Sequence, residues 1–334
     1  MPRILVITDH GDVHVPPVAE HLAAGMELTT IDTARVMLGE DLSFVQTKSG
    51  PRVFYRGEHL DDVVSVWYRK PSPLPETSIP VAAEYQTYAW SSLDQHGKSL
   101  NVQFRDATWV SDYYSLCRAK PKAGQLATAQ ELGFAVPETV MTSSENLARK
   151  FVRDHGTCIA KPLAVRFPHG KAMYATLVTT EDDLDYAGIA VDPQILQTYI
   201  EPATELRVTV VGGEVFAAEV HGGEPQRGAG GLRVRDWRAG ADTFWAAPAR
   251  VSADLEDKCR QYLAVYGLRF GAFDFVVDRA GVPWFLECNG NGQWLFIEDA
   301  TGQPISQAMA RLLTGGARAA PFARGRPAPR TERG

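Results

Sequence analysis

The chain has 334 residues, 45% hydrophobic and 22% charged, with a formal net charge of -6. That length exceeds one ordinary core, so two or three packed lobes of a soluble globular protein are expected. Five arginines against Glu332 in the last twenty residues leave an acidic body, which argues against generic nucleic-acid binding.

No apolar run is long enough to span a bilayer, and the short one after Met1 lacks the pattern of a secretory signal. Cys117, Cys158, Cys259 and Cys288 show neither zinc-ligand nor redox-motif spacing, so reduced thiols in a cytoplasmic protein are expected.

In chain order, residues 4–8 predict a buried strand and 15–24 a helix opened by Pro16-Pro17. Residues 42–46, 52–55 and 63–68 are β-rich, and a helix over 77–93 carries Pro80 near its start. No glycine-rich phosphate loop follows the first strand, so this unit is not expected to hold a nucleotide alone.

A second lobe begins near Ser111-Asp112. One helical stretch runs to Gly133, and Thr142-Ser-Ser-Glu145 reads as a capping box for a helix through Phe151. A strand over 157–163 carries Lys161. A loop at 166–171, a strand over 173–179 and a helix starting at Thr180 follow. Further on the pattern is antiparallel, with a strand over 195–200 and a hairpin of 206–211 with 215–220 turning through Gly212-Gly213. A helix over 255–266, a second hairpin of 270–277 with 283–289 and a helix over 305–313 complete the fold. The tail from Gly315 is expected to be disordered.

The second hairpin carries the strongest chemical signal. A four-residue loop at 279–282 places Asp274 across from Glu287, with Asn289 on the same face. Two carboxylates and an amide oxygen suit a hard cation of the magnesium type, whereas a bare carboxylate pair in an apolar setting repels. A solvated pair, or an acid/base pair of the glycosidase kind, is the competing reading. The latter leaves Asn289 and the Gly290-Asn291-Gly292 run unexplained.

Lys161 in a buried strand suggests an anionic partner such as a nucleotide phosphate, or else a surface lysine on an edge strand. Arg207 opens a hydrophobic hairpin as a guanidinium fork, with an ion pair to Glu205 as the alternative. The loop at Gly170-Lys171 could close over phosphates through its backbone amides. Asp236-Trp237-Arg238 reads either as a substrate contact or as a loop pinned by one buried Trp. His10 and His14 are four apart, but Gly-Asp between them and Pro-Pro after them deny a helix, so no metal site is expected there.

Taken together, these segments resemble the ATP-grasp superfamily, and more narrowly the ribosomal peptide maturases that make graspetides. The likeness rests on Val66-Trp-Tyr-Arg69, Lys122-Ala-Gly-Gln-Leu126, residues 132–139 and Ala160-Lys-Pro-Leu163. It continues through Gln197-Thr-Tyr-Ile200, residues 205–212, Asp236-Trp-Arg238, Gly271-Ala-Phe-Asp-Phe275, residues 287–294 and 297–305.

The resemblance implies an α/β (α+β lobes) architecture with the ATP-grasp fold. Its parts would be an N-terminal pre-ATP-grasp α/β domain over 1–110, a central lobe over 111–194, and a C-terminal antiparallel-sheet lobe over 195–314. An Arg/Pro-rich tail would occupy 315–334. It further implies ATP and magnesium. Lys122 and Lys161 would contact phosphates or adenine, Gln197, Thr198, Tyr199 and Ile200 would read adenine, and Glu205 would hold the ribose. Asp274, Glu287 and Asn289 would bind the metal, Arg207 would lie near the transferring phosphoryl group, and Arg238 with Asp236 would face the substrate. Gly290 departs from the proline common there in the family, which puts the rigidity of that loop in question. Gly222 to Gly231 would form a mobile lid or docking edge.

The implied partner is a ribosomally made precursor peptide, leader plus core, with neither nucleic acid nor membrane involved. Oligomeric state stays open, a homodimer included. The implied reaction is side-chain ester or amide closure. The rivals are a ligase adding an amino acid to a peptide or protein terminus, and a non-catalytic ATP-binding regulator.

Overall fold

Strands form where apolar runs can be covered on both faces. Arg3–Ile7 (β1), RILVI, is buried at every position, as expected of an inner strand in a parallel sheet. The computed structural model describes residues 1–71, 74–163, 175–184, 186, 188–222, 226–227, 233–234 and 244–315.

After β1 come Val15–Glu20 (α1), Glu27–Ile31 (β2), Thr33–Met37 (α2), Leu42–Thr47 (β3) and Gly50–Tyr55 (β4). Glu58–His59 (β5), Val63–Tyr68 (β6), Gln86–Lys98 (α3) and Thr108–Val110 (β7) follow. Next are Tyr113–Ala119 (α4), Lys122–Glu131 (α5), Thr139–Thr142 (β8), Glu145–His155 (α6), Cys158–Pro162 (β9), Thr176–Val178 (β10) and Gln194–Thr198 (β11). The remainder comprises Thr204–Val211 (β12), Glu214–His221 (β13), Gln226–Arg227 (β14), Arg233–Val234 (β15), Trp245–Pro248 (β16) and Ala253–Tyr266 (α7). Phe270–Val277 (β17), Pro283–Asn289 (β18), Leu295–Thr301 (α8) and Ile305–Thr314 (α9) end it.

Contacts divide the chain into two units. One holds residues 1–10, 22–110 and 311–334, and the other 11–21 and 111–310. In the first, β2-β1-β6-β7 form an all-parallel sheet, and β3-β4-β5 an antiparallel one. The second holds antiparallel sheets in the orders β10-β9-β11-β8 and β16-β13-β12-β17-β18, with β14-β15 as a short ribbon.

Several helices differ from expectation for local reasons. The stretch to Gly133 breaks into α4 and α5 at Pro121, and Asp112 caps the first by accepting from Ser115 N at 2.9 Å. The helix expected over 77–93 begins only at Gln86; short 3-10 turns precede it, because proline at 80 pushes Ile79 to extended backbone. Thr142 ends β8 rather than capping: Ser144 caps α6, which continues to His155. Thr180 does form a capping box with Asp183, but only over the 3-10 turn Glu181–Asp183. α1 stops at Glu20 instead of 24.

The core of the five-stranded sheet lies on one of its faces. Leu206, Val208 and Val210 of β12 pack with Phe273 and Phe275 of β17, Phe285 of β18, and Cys259, Tyr262 and Leu263 of α7. Gly271 sits where α7 crosses β17. A Cβ there would stand 2.5 Å from Leu263 Cδ2 and 3.0 Å from Cys288 Sγ. Gly271→Ala is therefore expected to destabilise by about 1–3 kcal/mol through overpacking, read as a lower urea midpoint. An unchanged midpoint would contradict that packing.

Candidate active site

The other face of the same sheet carries the charges. Facing residues of paired antiparallel strands project to the same side. Arg207 of β12 faces Asp274 of β17, and Asp274 faces Glu287 of β18, so the three form a row across neighbouring strands. Asn289 faces Ala272 and extends that side by one step.

The register reaches this row by an unexpected route. Val277 faces Pro283 and Phe275 faces Phe285, so the turn is a residue longer than the loop expected at 279–282. Continued unbroken, that register would set Leu286 opposite Asp274. A shift between Asp274 and Phe275 absorbs Leu286 as a bulge and brings Glu287 into place.

Two cations answer the repulsion of the carboxylates. Arg207 is 4% exposed; its Nη1 donates to Asp274 Oδ1 at 2.7 Å and its Nη2 to the Gln293 carbonyl at 3.0 Å. The alternative pairing of Arg207 with Glu205 gives way to Asp274. Arg207 Nε is buried with no hydrogen-bond partner. Lys122, the first residue of α5, forms an ion pair with the Glu287 carboxylate. Asn289 Oδ1 accepts from Asn291 N at 3.0 Å, which begins the turn after the strand.

Sequence reasoning missed two residues that build this site. Gln125 lies one helical turn after Lys122, on the same side of α5. Its Nε2 donates to the Cys288 carbonyl at 2.9 Å and to the Ala119 carbonyl at 2.7 Å, while its Oε1 accepts from Cys288 N at 3.1 Å. The buried amide thus mimics a neighbouring strand along the outer edge of β18, between Glu287 and Asn289. The signal available in the sequence was the Lys122/Gln125 spacing. Gln125→Leu is expected to cost about 1–3 kcal/mol by leaving both Cys288 groups unsatisfied. Calorimetry should show it as a lower melting temperature; an unchanged melting temperature would contradict the clamp.

Gly292 is the second. A Cβ there would meet Ala272 Cβ at 2.5 Å, Arg207 Nη2 at 2.8 Å and the Asn289 carbonyl at 3.3 Å. Only a hydrogen fits between β17 and the guanidinium. At Gly290 a Cβ would come 2.6 Å from Leu116 Cδ2, so Leu116 occupies the space a side chain would need. Burial pushes the Cys259 and Cys288 thiols well above the ordinary range, which leaves them as apolar packing groups rather than nucleophiles.

Lys161, Gln197 and Thr198 belong to the β10-β9-β11-β8 sheet. Lys161 Nζ donates to Gln197 Oε1 at 3.1 Å, and Gln197, 4% exposed, donates from Nε2 to Thr139 Oγ1 at 3.0 Å. Thr198 N donates to the Glu138 carbonyl and Tyr199 N to the Thr157 carbonyl, at 2.9 and 3.1 Å. Tyr199 and Ile200 lie on the short connection from β11 to β12. Glu205 is half-buried on the same face of β12 as Arg207. Asp236, Trp237, Arg238, the Gly170-Lys171 loop, the tail from 316 and most of 222–231 lie outside the described residues. Among the described residues no group of three or more His, Cys, Asp or Glu side chains gathers as a metal cluster, so any cation here would rest on the two carboxylates with Asn289. No helix among them is long and apolar enough to cross a membrane.

No protein-family profile and no curated protein matches the chain. Solved structures do, and they define the class: this is the fold of the ATP-grasp ligases. D-alanyl-alanine synthetase A from Vibrio cholerae aligns over 95% of this chain and 98% of its own at 12% identity, with a TM-score of 0.59. Within that class the resemblance to peptide-modifying ligases read from the sequence holds. A RiPP-associated ATP-grasp ligase from Chryseobacterium gregarium, solved with ADP and a leader and core peptide, is 25% identical. It covers 94% of this chain and 97% of its own at a TM-score of 0.81. The macrocyclase MdnC from Microcystis aeruginosa, solved with its precursor peptide MdnA, is 23% identical over 94% of this chain and 99% of its own, with a TM-score of 0.79.

Proposed function

We propose that the chain is an ATP-dependent peptide ligase. It would phosphorylate Asp or Glu side chains of a ribosomal precursor peptide and close them onto Ser, Thr or Lys side chains as esters or amides. The observation that carries this reading is the row Arg207, Asp274, Glu287, joined by Lys122, on one face of a sheet in a chain with the RiPP-ligase fold. The lobes would run over 1–110, 111–194 and 195–314, the protein acting in the cytoplasm.

The donor set fits magnesium. Asp274, Glu287 and Asn289 offer oxygen ligands, and each carboxylate is paired with a cation, Asp274 with Arg207 and Glu287 with Lys122. When bound there, magnesium would supply charge neutralisation on the triphosphate. Lys122 and Lys161 would hold the phosphates, residues 197–200 the adenine and Glu205 the ribose. Arg207, through its unpartnered Nε or by releasing Asp274, would bear on the charge that develops at the terminal phosphoryl group. A substrate carboxylate oxygen bonds to that phosphorus as ADP leaves. A hydroxyl or amine then bonds to the acyl carbon, losing its proton as phosphate departs. Arg238, and less directly Asp236, would face the peptide.

The test is phosphate release by the full chain with magnesium-ATP and the peptide of a short Thr-, Asp- and Glu-rich reading frame beside its gene. Release that depends on the peptide supports the reading. ATP binding without release, with a peptide shown to bind, contradicts it and favours a regulator.

A further inference from the structure

His14 is almost wholly buried, 3% exposed. Its backbone N–H and its Nδ1 both lie on Asp12 Oδ1, at 3.1 and 2.9 Å. A carboxylate only accepts, so Nδ1 donates, and a backbone N–H directed at Nε2 requires that nitrogen to accept. Nε2 receives the Trp294 backbone N–H at 3.3 Å. The imidazole also meets the indole edge-on, with ring centroids 4.5 Å apart, and the fully buried indole donates from Nε1 to Ser306 Oγ at 3.2 Å.

The N–H of Trp294 and the carbonyl of Gln293 belong to one peptide group, which is planar and rigid. Its oxygen accepts from Arg207 Nη2 at 3.0 Å, and its N–H donates to His14. Turning that plane would break both bonds at once. On the ligase reading above, we propose that Asp12 and His14 form a positioning pair that sets the Gln293–Trp294 peptide plane and, through it, the guanidinium of Arg207. The N-terminal loop thereby acts on a residue almost two hundred positions away, without touching substrate.

The test uses magnesium with AMPPNP or ADP as probes, read by calorimetry on the full chain, because Arg207 should distinguish a terminal phosphoryl group from its absence. Arg207→Gln is expected to lower the AMPPNP-to-ADP affinity ratio. His14→Phe, which keeps the ring and loses both bonds, should lower the same ratio about tenfold while ADP affinity moves by less than about twofold. His14→Asn, which has no acceptor at the Nε2 position, should do the same and serves should the Phe variant not fold. His14→Gln, whose Oε1 can replace Nε2, should restore the ratio. In the Arg207→Gln background, His14→Phe should change it by less than about twofold.

If Arg207→Gln lowers the ratio and the Phe and Asn variants do not, the positioning role is wrong while the ligase reading stands. If Gln fails to rescue, or the losses add in full, His14 is a packing residue only and the inference is overturned. If Arg207→Gln leaves the ratio unchanged, the assignment of Arg207 falls, and this inference with it.

Discussion

Asp274→Asn is expected to lower peptide-dependent turnover by about 10²- to 10³-fold, a loss of the size seen when one preorganised electrostatic group is removed from a reaction centre. The substitution keeps size and shape but removes a charge placed between Arg207 and Glu287. Two consequences follow. The proposed cation site would lose half of its carboxylate charge, so the magnesium concentration needed for half-maximal nucleotide binding should rise. Arg207 is left almost wholly buried with a weaker partner, which raises the cost of keeping it charged. Initial-rate phosphate release across a magnesium titration measures the first effect, and urea unfolding the second. A variant with full turnover at the same magnesium midpoint would contradict the assignment of Asp274.

Gly292→Ala should be nearly as damaging, although alanine adds only a methyl group. Its Cβ would stand 2.5 Å from Ala272 Cβ, on a central strand that cannot retreat, and 2.8 Å from Arg207 Nη2. The movable part is the guanidinium with the loop that holds it, so the strain falls on the bond from Arg207 to the Gln293 carbonyl. Displacement of a positioning group by about 1 Å can cost about 10²-fold, and a loss of that order in kcat is expected. Gly213→Ala is the control. A Cβ there meets nothing within 4 Å, and that variant should keep wild-type kcat. Equal rates for the two alanine variants would show that the close approach at Gly292 has no bearing on catalysis.

The Asp274–Glu287 pairing is legible in the sequence because two apolar strands bracket a polar turn and each carries a single carboxylate in its apolar run. The way the pairing arises is not legible. A five-residue turn in place of four would have faced Asp274 with Leu286, and the bulge that corrects it depends on what holds the outer edge of β18. That edge is held from afar: Ala135 accepts from Phe285 N at 2.8 Å, and Gln125 satisfies Cys288.

Helix limits were obscured for a local reason, since Pro80 and Pro121 sit inside stretches whose polarity pattern continues past them. His14 and Gly292 were hidden for a different one. Their importance lies in contacts across the fold, a backbone N–H of Trp294 for one and a guanidinium for the other. Periodicity along the chain carries no trace of such contacts. Arg207 stands between these cases. Its place in a buried strand announces a partner, but the choice of Asp274 over Glu205 is made by the β12–β17 register alone.

The most direct measurement is the intact mass of the cognate precursor peptide after incubation with the full chain, ATP and magnesium. The ligase account predicts the loss of one water per ring closed, with ADP and phosphate formed in step and no loss in the Asp274→Asn reaction over the same time. A peptide that gains the mass of an amino-acid residue, or returns unchanged while ATP is consumed, would contradict it.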